Sequence, residues 1–263
     1  MGAAANGCSR KARTRALSRN VLAKLKQFLS RSKRNIDPFP GCDDDPDLEW
    51  LRPPANPLDV AGWDRYWFEY LRHGIGPQLL DMFCDDRDLV RVMNAEGMKS
   101  VLCAGNGISQ EPRALAEAGF EVVALDISPQ AVEFARDFAF PSEGFEFFCE
   151  PDMRRSGGNV EYVVGNILDS SVCPGPFDVI IERSTAQNYL THGQPALMMA
   201  LSERLSQNGI FFSHSHDGSW NPDREIRHFT ADWFAFNGWT IRWDKTLAEK
   251  PAGRVAWLFT SSG

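Results

Sequence analysis

One segment constrains the fold of this chain most strongly: an apolar run that ends in a glycine turn, VLCAGNGIS at positions 101–109. A second apolar run, at 122–125, follows it and ends in Asp126, 21 residues after Gly105. This layout predicts a strand, a turn, a helix and a second strand. In such a unit the glycines let the backbone approach a nucleoside, and the carboxylate holds its ribose hydroxyls. The segment therefore predicts a site for a nucleoside cofactor.

From residue 99 onward, predicted strands and helices alternate, which is typical of a parallel sheet with helices on both faces. The dipeptide Asn208-Gly209 predicts the end of the last helix. Two late apolar runs, at 239–243 and 255–260, are too close in sequence for a parallel crossover, so they should pair antiparallel. We predict an α/β fold with a doubly wound, mostly parallel seven-stranded sheet, Rossmann-like, with an antiparallel last strand and an N-terminal helical extension. The first five strands are predicted near Ser100–Ala104, Glu121–Leu125, Val160–Val164, Phe177–Glu182 and Ile210–His214, and the helices near Glu111–Ala118, Pro129–Phe138 and Pro195–Ser206.

The charge is distributed unevenly along the chain. The net charge is −7, yet residues 1–36 hold ten of the 28 lysines and arginines and no acid. The remainder therefore carries 18 basic against 35 acidic residues. The basic segment is compatible with a mitochondrial or plastid presequence, a membrane-surface helix, a nucleic-acid arm or a solvated tail. The acidic remainder argues against an extended nucleic-acid surface, because phosphate contacts need clustered cations.

Three regions are predicted: a basic extension, flexible or helical, at 1–36, a linker rich in Pro and Asp at 37–60, and the main domain at 61–263. The domain begins with aromatic residues at helical spacing, which predict a helix that packs on the sheet or roofs a pocket. No apolar run is long enough for a membrane span, and the first 35 residues lack the apolar block expected of a secretory signal. Six cysteines without a Cys-x-x-Cys pair indicate neither zinc nor a disulfide framework. We predict a cytoplasmic protein, or an organellar one if the basic segment is a presequence.

The glycine turn departs from the dinucleotide pattern, because Gln110 stands where the third glycine belongs. With Gly105, Gly107, Asp126 and a polar residue after the third strand, the chain resembles the class I S-adenosylmethionine-dependent methyltransferases over about residues 98–260. The stretch at 101–128 is loosely similar to the thiopurine-methyltransferase-like branch, in which the acid expected at Cys103 is also absent. The resemblance implies S-adenosyl-L-methionine as the cofactor, with the glycine turn under its methionine part, Asp126 on its ribose and Asn166 near its adenine, and Asp169 as the next candidate there. The cofactor-binding residues expected on this basis are Cys103, Ala104, Gly105, Asn106, Gly107, Asp126, Ile127, Asn166, Ile167 and Glu182.

Methyl transfer from a sulfonium is an in-line displacement that depends on alignment and on exclusion of water, so no particular catalytic residue is required. The segment after the fourth strand, ERST at 182–185, lacks the motifs that mark methyltransferases acting on nucleobase amino groups or on cytosine C5. The loose similarity to the thiopurine-methyltransferase-like branch implies a small-molecule O, N or S acceptor. The alternatives are an NAD-dependent oxidoreductase, or a non-catalytic cofactor-binding domain whose basic arm contacts nucleic acid or a membrane. Candidate catalytic residues are Arg183, His214 and His216, the candidate substrate pocket is Trp63, Tyr66, Ser184 and Trp220, and no metal is expected.

Overall fold

The computed structural model describes residues 53–72, 87–137, 157–183, 185–189, 194–216, 239–247 and 254–261. The basic extension at 1–36 and most of the predicted linker lie outside these ranges, so their predictions stay untested. Within the described ranges no helix is both long and apolar enough to cross a membrane.

The sheet has the strand order β3-β2-β1-β4-β5-β7-β6. The five strands from β3 to β5 are parallel, and β7 pairs antiparallel with both β5 and β6. Because the order reverses beside β1, the carboxyl ends of β1 and β4 flank the point where open α/β sheets bind ligands. The predicted α/β class is confirmed. The strands are β1 Ser100–Ala104, β2 Glu121–Asp126, β3 Asn159–Val164, β4 Phe177–Arg183, β5 Leu205–His216, β6 Trp239–Leu247 and β7 Arg254–Ser261.

Helices cover both faces of the sheet, as expected for a doubly wound fold. Alternate residues of the central strands point to opposite faces, so Val101 and Leu102 of β1 join two different core clusters. The first cluster packs under α2 and α3, and the second packs under α5 and a short 3-10 helix. The helices are α1 Val60–Arg72, α2 Arg87–Ala95, α3 Glu111–Glu117, α4 Pro129–Asp137 and α5 Gln194–Ser202, and the 3-10 helix is Ala186–Tyr189.

Helix α1 begins where an acidic side chain caps it. The backbone N–H of Gly62 donates to Oδ1 of Asp59 at 2.9 Å, which satisfies one of the unpaired donors of the first turn. The indole N–H of Trp63 donates to the carbonyl of Pro57 at 3.0 Å, so the chain just before the helix folds back against it. The helix also packs against α4 through Tyr66, Trp67 and neighbouring apolar residues. The predicted aromatic helix is thus present, and its aromatic residues contact α4 and the glycine turn.

The prediction for the last helix was wrong at its end. Helix α5 stops at Ser202 and β5 begins at Leu205, whereas Asn208-Gly209 had suggested a helix up to Ser206. The cause is tertiary: the almost fully buried Arg204 occupies the turn between helix and strand. Its guanidinium donates to the carbonyls of Asp169, Val172, Cys173 and Ala200 at 2.5–3.1 Å. Gly209 lies instead within an irregularity of the β4–β5 pairing.

Candidate functional site

The turn between β1 and α3 has the conformation that its glycines predict. Gly105 and Gly107 have φ angles of +67° and +53°, a region that L side chains rarely adopt. The backbone N–H of Asn106 donates to the carbonyl of Leu125 at 3.0 Å, which ties the turn to the end of β2. The Asn106 side-chain amide donates to the carbonyls of Gly107 and Ser109. The turn is therefore rigidly attached to the two strands that flank it.

Two side chains of this protein cover the faces of these glycines. A Cβ atom on Gly105 would run into the side chain of Thr185, and one on Gly107 would lie 2.5 Å from Cζ2 of Trp67. The Thr185 hydroxyl donates to the carbonyl of Ala104 at 3.0 Å, with a second contact at 3.3 Å to that of Gly105. The glycines are therefore needed for close packing of the protein on itself, and the approach of a cofactor to them stays a prediction.

Replacing Gly107 by alanine tests the contact with Trp67. We expect the free energy of unfolding to fall by more than the roughly 1–2 kcal/mol that a left-handed conformation costs an L residue, because the new methyl also meets the indole. Gly97→Ala is the matched control, since its φ is +70° and nothing lies within 4 Å of its Cβ position. Urea unfolding of both variants measures the difference. Equal losses would show that Trp67 does not pack on the turn.

Asp126 lies at the centre of the candidate site. Its side chain is buried, and each carboxylate oxygen accepts a backbone N–H. Oδ2 accepts from Gly107 at 2.7 Å, and Oδ1 accepts from Ser128 at 2.8 Å. The carboxylate thus joins the glycine turn to the start of α4.

Burial raises the pKa of Asp126 to about 6 from its ordinary 3.8, because the charged form is desolvated. The N–H groups of Ser128, Gly107 and Ile127 oppose this shift, and the nearby carboxylate of Asp64 adds to it. The negative charge of Asp126 also adds to the effect of burial on Tyr189 of the 3-10 helix, whose pKa rises to about 12. Asp126 is therefore a carboxylate whose charge is sensitive to its surroundings near neutral pH.

The loop after β3 begins beside the backbone of Asp126. The N–H of Gly165 donates to the carbonyl of Asp126 at 2.9 Å. Oδ1 of Asn166 accepts the N–H of Leu168 at 2.9 Å, so the side chain shapes the loop, and Ile167 is buried in the second core cluster. Asp169 is exposed, and its hydrogen bonds to Ser171 lower its pKa. Asn166 and Ile167 thus lie on a loop adjacent to Asp126.

Glu182 at the end of β4 is fully buried, and both of its oxygens have partners within the protein. Oε2 accepts the N–H groups of Thr185 and Ala186 at 2.9 and 3.0 Å. Oε1 accepts the hydroxyl of Ser213 on β5. Burial raises the pKa of Glu182, although these hydrogen bonds oppose the shift. The carboxylate therefore organises the loop that brings Thr185 against the glycine turn; direct contact with a cofactor stays a prediction.

Arg183 forms a buried ion pair. Its guanidinium donates to both oxygens of Glu111, with Nε and Oε2 2.7 Å apart, and the side chains are only 6% and 4% exposed. It also lies 5.0 Å from the ring centroid of Phe212, a cation–π contact. Burial raises the pKa of the neighbouring Cys103 thiol, the charge of Glu111 raises it further, and that of Arg183 opposes the shift. This arrangement joins α3 to β4 and keeps the Cys103 thiol neutral.

The comparisons with known proteins agree with this geometry. Residues 102–213 match a family model described as a methyltransferase domain. The chain contains a methyltransferase domain. Such a domain takes its methyl group from S-adenosylmethionine, which is therefore the cofactor. A search of curated proteins finds no match to this chain.

Two solved structures share the fold of the methyltransferase domain. Magnesium protoporphyrin IX methyltransferase from Synechocystis PCC 6803, with bound S-adenosylhomocysteine, has a TM-score of 0.54 and 17% identity. A TehB-like S-adenosylmethionine-dependent methyltransferase from Corynebacterium glutamicum has a TM-score of 0.50 and 14% identity. The alignments cover 80% and 79% of this chain and all of both neighbours. At these identities the likeness establishes the fold.

Four of the remaining predicted site residues lie on described helices or strands, and two lie outside the described residues. Trp63 and Tyr66 lie on α1, their ring centroids 5.4 Å apart. The backbones of His214 and His216 lie in β5 opposite Ala256 and Arg254. Ser184 and Trp220 lie outside the described residues. Among those residues, no cluster of three or more His, Cys, Asp or Glu could hold a metal ion.

Sequence reasoning did not identify Asp64, Trp67, Glu111 or Thr185 as parts of this site. Asp64 and Trp67 lie on the aromatic helix, and Glu111 is the first residue of α3. Thr185 lies in the segment at 182–185, from which Glu182, Arg183 and Ser184 were predicted as site residues. No sequence motif marks any of these four residues. The only signal that could have identified them is their position near a predicted turn, helix start or strand end.

Proposed function

We propose that this protein transfers a methyl group from S-adenosylmethionine to an O, N or S atom of a small molecule. The observation that carries the proposal is the buried carboxylate of Asp126, held by the N–H groups of Gly107 and Ser128 at the end of β2. An ionised carboxylate has about four acceptor sites. The N–H groups of Gly107 and Ser128 occupy two of them and that of Ile127 also faces the charge, which leaves room for at least one further donor. Two neighbouring ribose hydroxyls are suitable donors. The residues present thus fit the nucleoside part of the cofactor.

The chain's own residues would orient the reactants and exclude water. When bound, the cofactor supplies an electrophilic methyl on a sulfonium, and the acceptor must attack it in line. Thr185, held by Glu182 and bonded to the carbonyl of Ala104, keeps the loop after β4 against the turn. Trp67 covers the opposite side at Gly107. In the proposed reaction these contacts would help to exclude water at the carboxyl ends of β1 and β4.

The acceptor class is supported by the aromatic surface of α1. The rings of Trp63, Tyr66 and Trp67 lie with centroids 5.0–6.4 Å apart, which suits contact with a flat or apolar small molecule. The loose similarity of residues 101–128 to the thiopurine-methyltransferase-like branch supports the same class. We propose His214 or His216 as a general base, because both lie at the carboxyl end of β5 and histidine titrates near neutral pH.

Calorimetry on the full chain tests the cofactor assignment. S-adenosylhomocysteine is expected to bind with 1:1 stoichiometry, and NAD is expected to show no saturable heat. Incubation with methyl-labelled S-adenosylmethionine and a library of small thiols, phenols and amines then tests the acceptor class. Transfer to protein or nucleic acid with none to any small molecule would contradict the proposed acceptor, and tight NAD binding without S-adenosylhomocysteine binding would overturn the assignment as a whole.

A further inference from the structure

Helix α1 contacts both sides of the Asp126 carboxylate system. Oδ1 of Asp64 accepts the hydroxyl of Ser128 at 2.5 Å and the N–H of Gln130 at 3.2 Å. One turn further along the same helix, Trp67 lies against Gly107. Ser128 and Gly107 are the two residues whose N–H groups hold Asp126. Helix α1 therefore contacts both residues whose N–H groups donate to the Asp126 carboxylate.

Ser128 links Asp64 to Asp126 through its own hydrogen bonds. It is fully buried, and its Oγ accepts the N–H of Ala131 at 3.1 Å while donating to Asp64. Its backbone N–H donates at the same time to Oδ1 of Asp126. The serine thus caps the start of α4, and its backbone carbonyl accepts the N–H of Val132, so all of its polar groups have partners. Since Asp64 accepts both a side-chain and a backbone donor there, its loss would release that turn.

From this geometry we propose that Asp64 is a positioning residue for cofactor binding, acting on Asp126 through Ser128 and holding α1 over the site. The inference rests on the proposed function, since it assigns Asp126 to the cofactor. It extends that function to a part of the chain outside the matched family region at 102–213.

Asp64 also acts on Asp126 through its charge, an effect that a purely structural contact would lack. Among the described residues, the titratable groups that interact with Asp126 are Asp64 from α1 and Tyr189 from the 3-10 helix. The other partners of Asp126 are backbone N–H groups of Gly107, Ile127 and Ser128. Because the negative charge of Asp64 disfavours ionisation of Asp126, a neutral residue at 64 should lower the pKa of Asp126.

The test compares Asp64→Ala, Asp64→Asn and wild type by titrating S-adenosylhomocysteine from pH 5 to pH 8. Asp64→Ala is expected to weaken affinity at pH 7.5 by about tenfold, because the first turn of α4 loses an acceptor for two donors. Asp64→Asn keeps an acceptor oxygen and should recover most of that loss. It should also move the acid midpoint of binding to lower pH. Glu69→Gln is the control, because it removes the same charge from the same helix at a residue paired with Arg72.

The outcomes separate the two hypotheses. If wild type does not bind S-adenosylhomocysteine, the proposed function fails. If wild type binds while both Asp64 variants keep its affinity and its acid midpoint, the positioning role is overturned and the function stands. An equal shift in Glu69→Gln would also overturn it, since the effect would then come from the helix charge in general. Thermal unfolding of each variant identifies any loss of affinity that reflects unfolded protein.

Discussion

Asp126→Ala is expected to weaken S-adenosylhomocysteine binding by about 100-fold. Two hydrogen bonds to a buried carboxylate are lost, and bonds to charged groups contribute roughly 1.5–3 kcal/mol each, of which water recovers a part. The alanine also leaves the N–H groups of Gly107 and Ser128 without their acceptor. Asp126→Asn is the matched variant, because it keeps the volume and one acceptor oxygen and should lose less affinity. Unchanged affinity in the alanine variant would remove Asp126 from the site.

The same carboxylate predicts how binding depends on pH. Its pKa is about 6 in the free protein, and only the ionised form offers both oxygens as acceptors. Binding therefore favours ionisation, so affinity should be constant well above pH 6 and fall by up to about tenfold per pH unit below it. In Asp126→Asn the acid limb contributed by this group should be absent. Calorimetric titrations from pH 5 to pH 8 measure both curves, and an identical acid limb in the two proteins would assign it to another group.

Breaking the Glu111–Arg183 pair is expected to cost the most stability. Glu111→Gln or Arg183→Leu leaves one charge buried without its partner, and such changes cost about 3–5 kcal/mol. The double variant should be more stable than either single one, because no charge is then left uncompensated. Arg136→Ala is the control, since its pair with Asp137 has side chains about half exposed and should contribute at most about 1 kcal/mol. Urea unfolding of the four variants measures the coupling.

The double variant also separates a structural from a catalytic role for Arg183. If the ion pair only joins α3 to β4, Glu111→Gln/Arg183→Leu should transfer methyl groups at a near-normal rate per folded molecule. If the guanidinium takes part in the reaction, kcat should stay low in the double variant although stability recovers. If Glu111→Gln and Arg183→Leu each unfold with the same free energy as wild type, the buried ion pair itself is contradicted.

The parts of the site that could be predicted are those encoded by neighbours in sequence. The turn at Gly105 and Gly107 needs positive φ angles, which only glycine adopts readily, and the acid at the end of β2 follows from strand spacing. The interactions that could not be predicted join distant residues. Arg183 meets Glu111 72 residues away, and Asp64 meets Ser128 64 residues away. A local pattern contains no information about such pairs.

The end of α5 is a second feature that the local sequence could not predict, because distant residues determine it. Asn208-Gly209 is a good local signal for a helix end, yet the helix stops earlier because Arg204 binds four carbonyls in the turn. Pairing of Leu205 with Phe177 then starts β5. Tertiary hydrogen bonds outweighed a propensity difference that is well below 1 kcal/mol per residue.

By itself, the sequence determined the α/β class, the glycine turn and the placement of Asp126 beside it, because periodicity and backbone sterics act over short stretches of chain. Only the tertiary structure decided which polar groups are already used. Glu182 and Arg183 are occupied by partners within the protein, whereas Asp126 keeps acceptor capacity for the ligand that we propose. The reason is burial: a carboxylate or guanidinium removed from water must find partners, and the fold determines which side chains lie within reach.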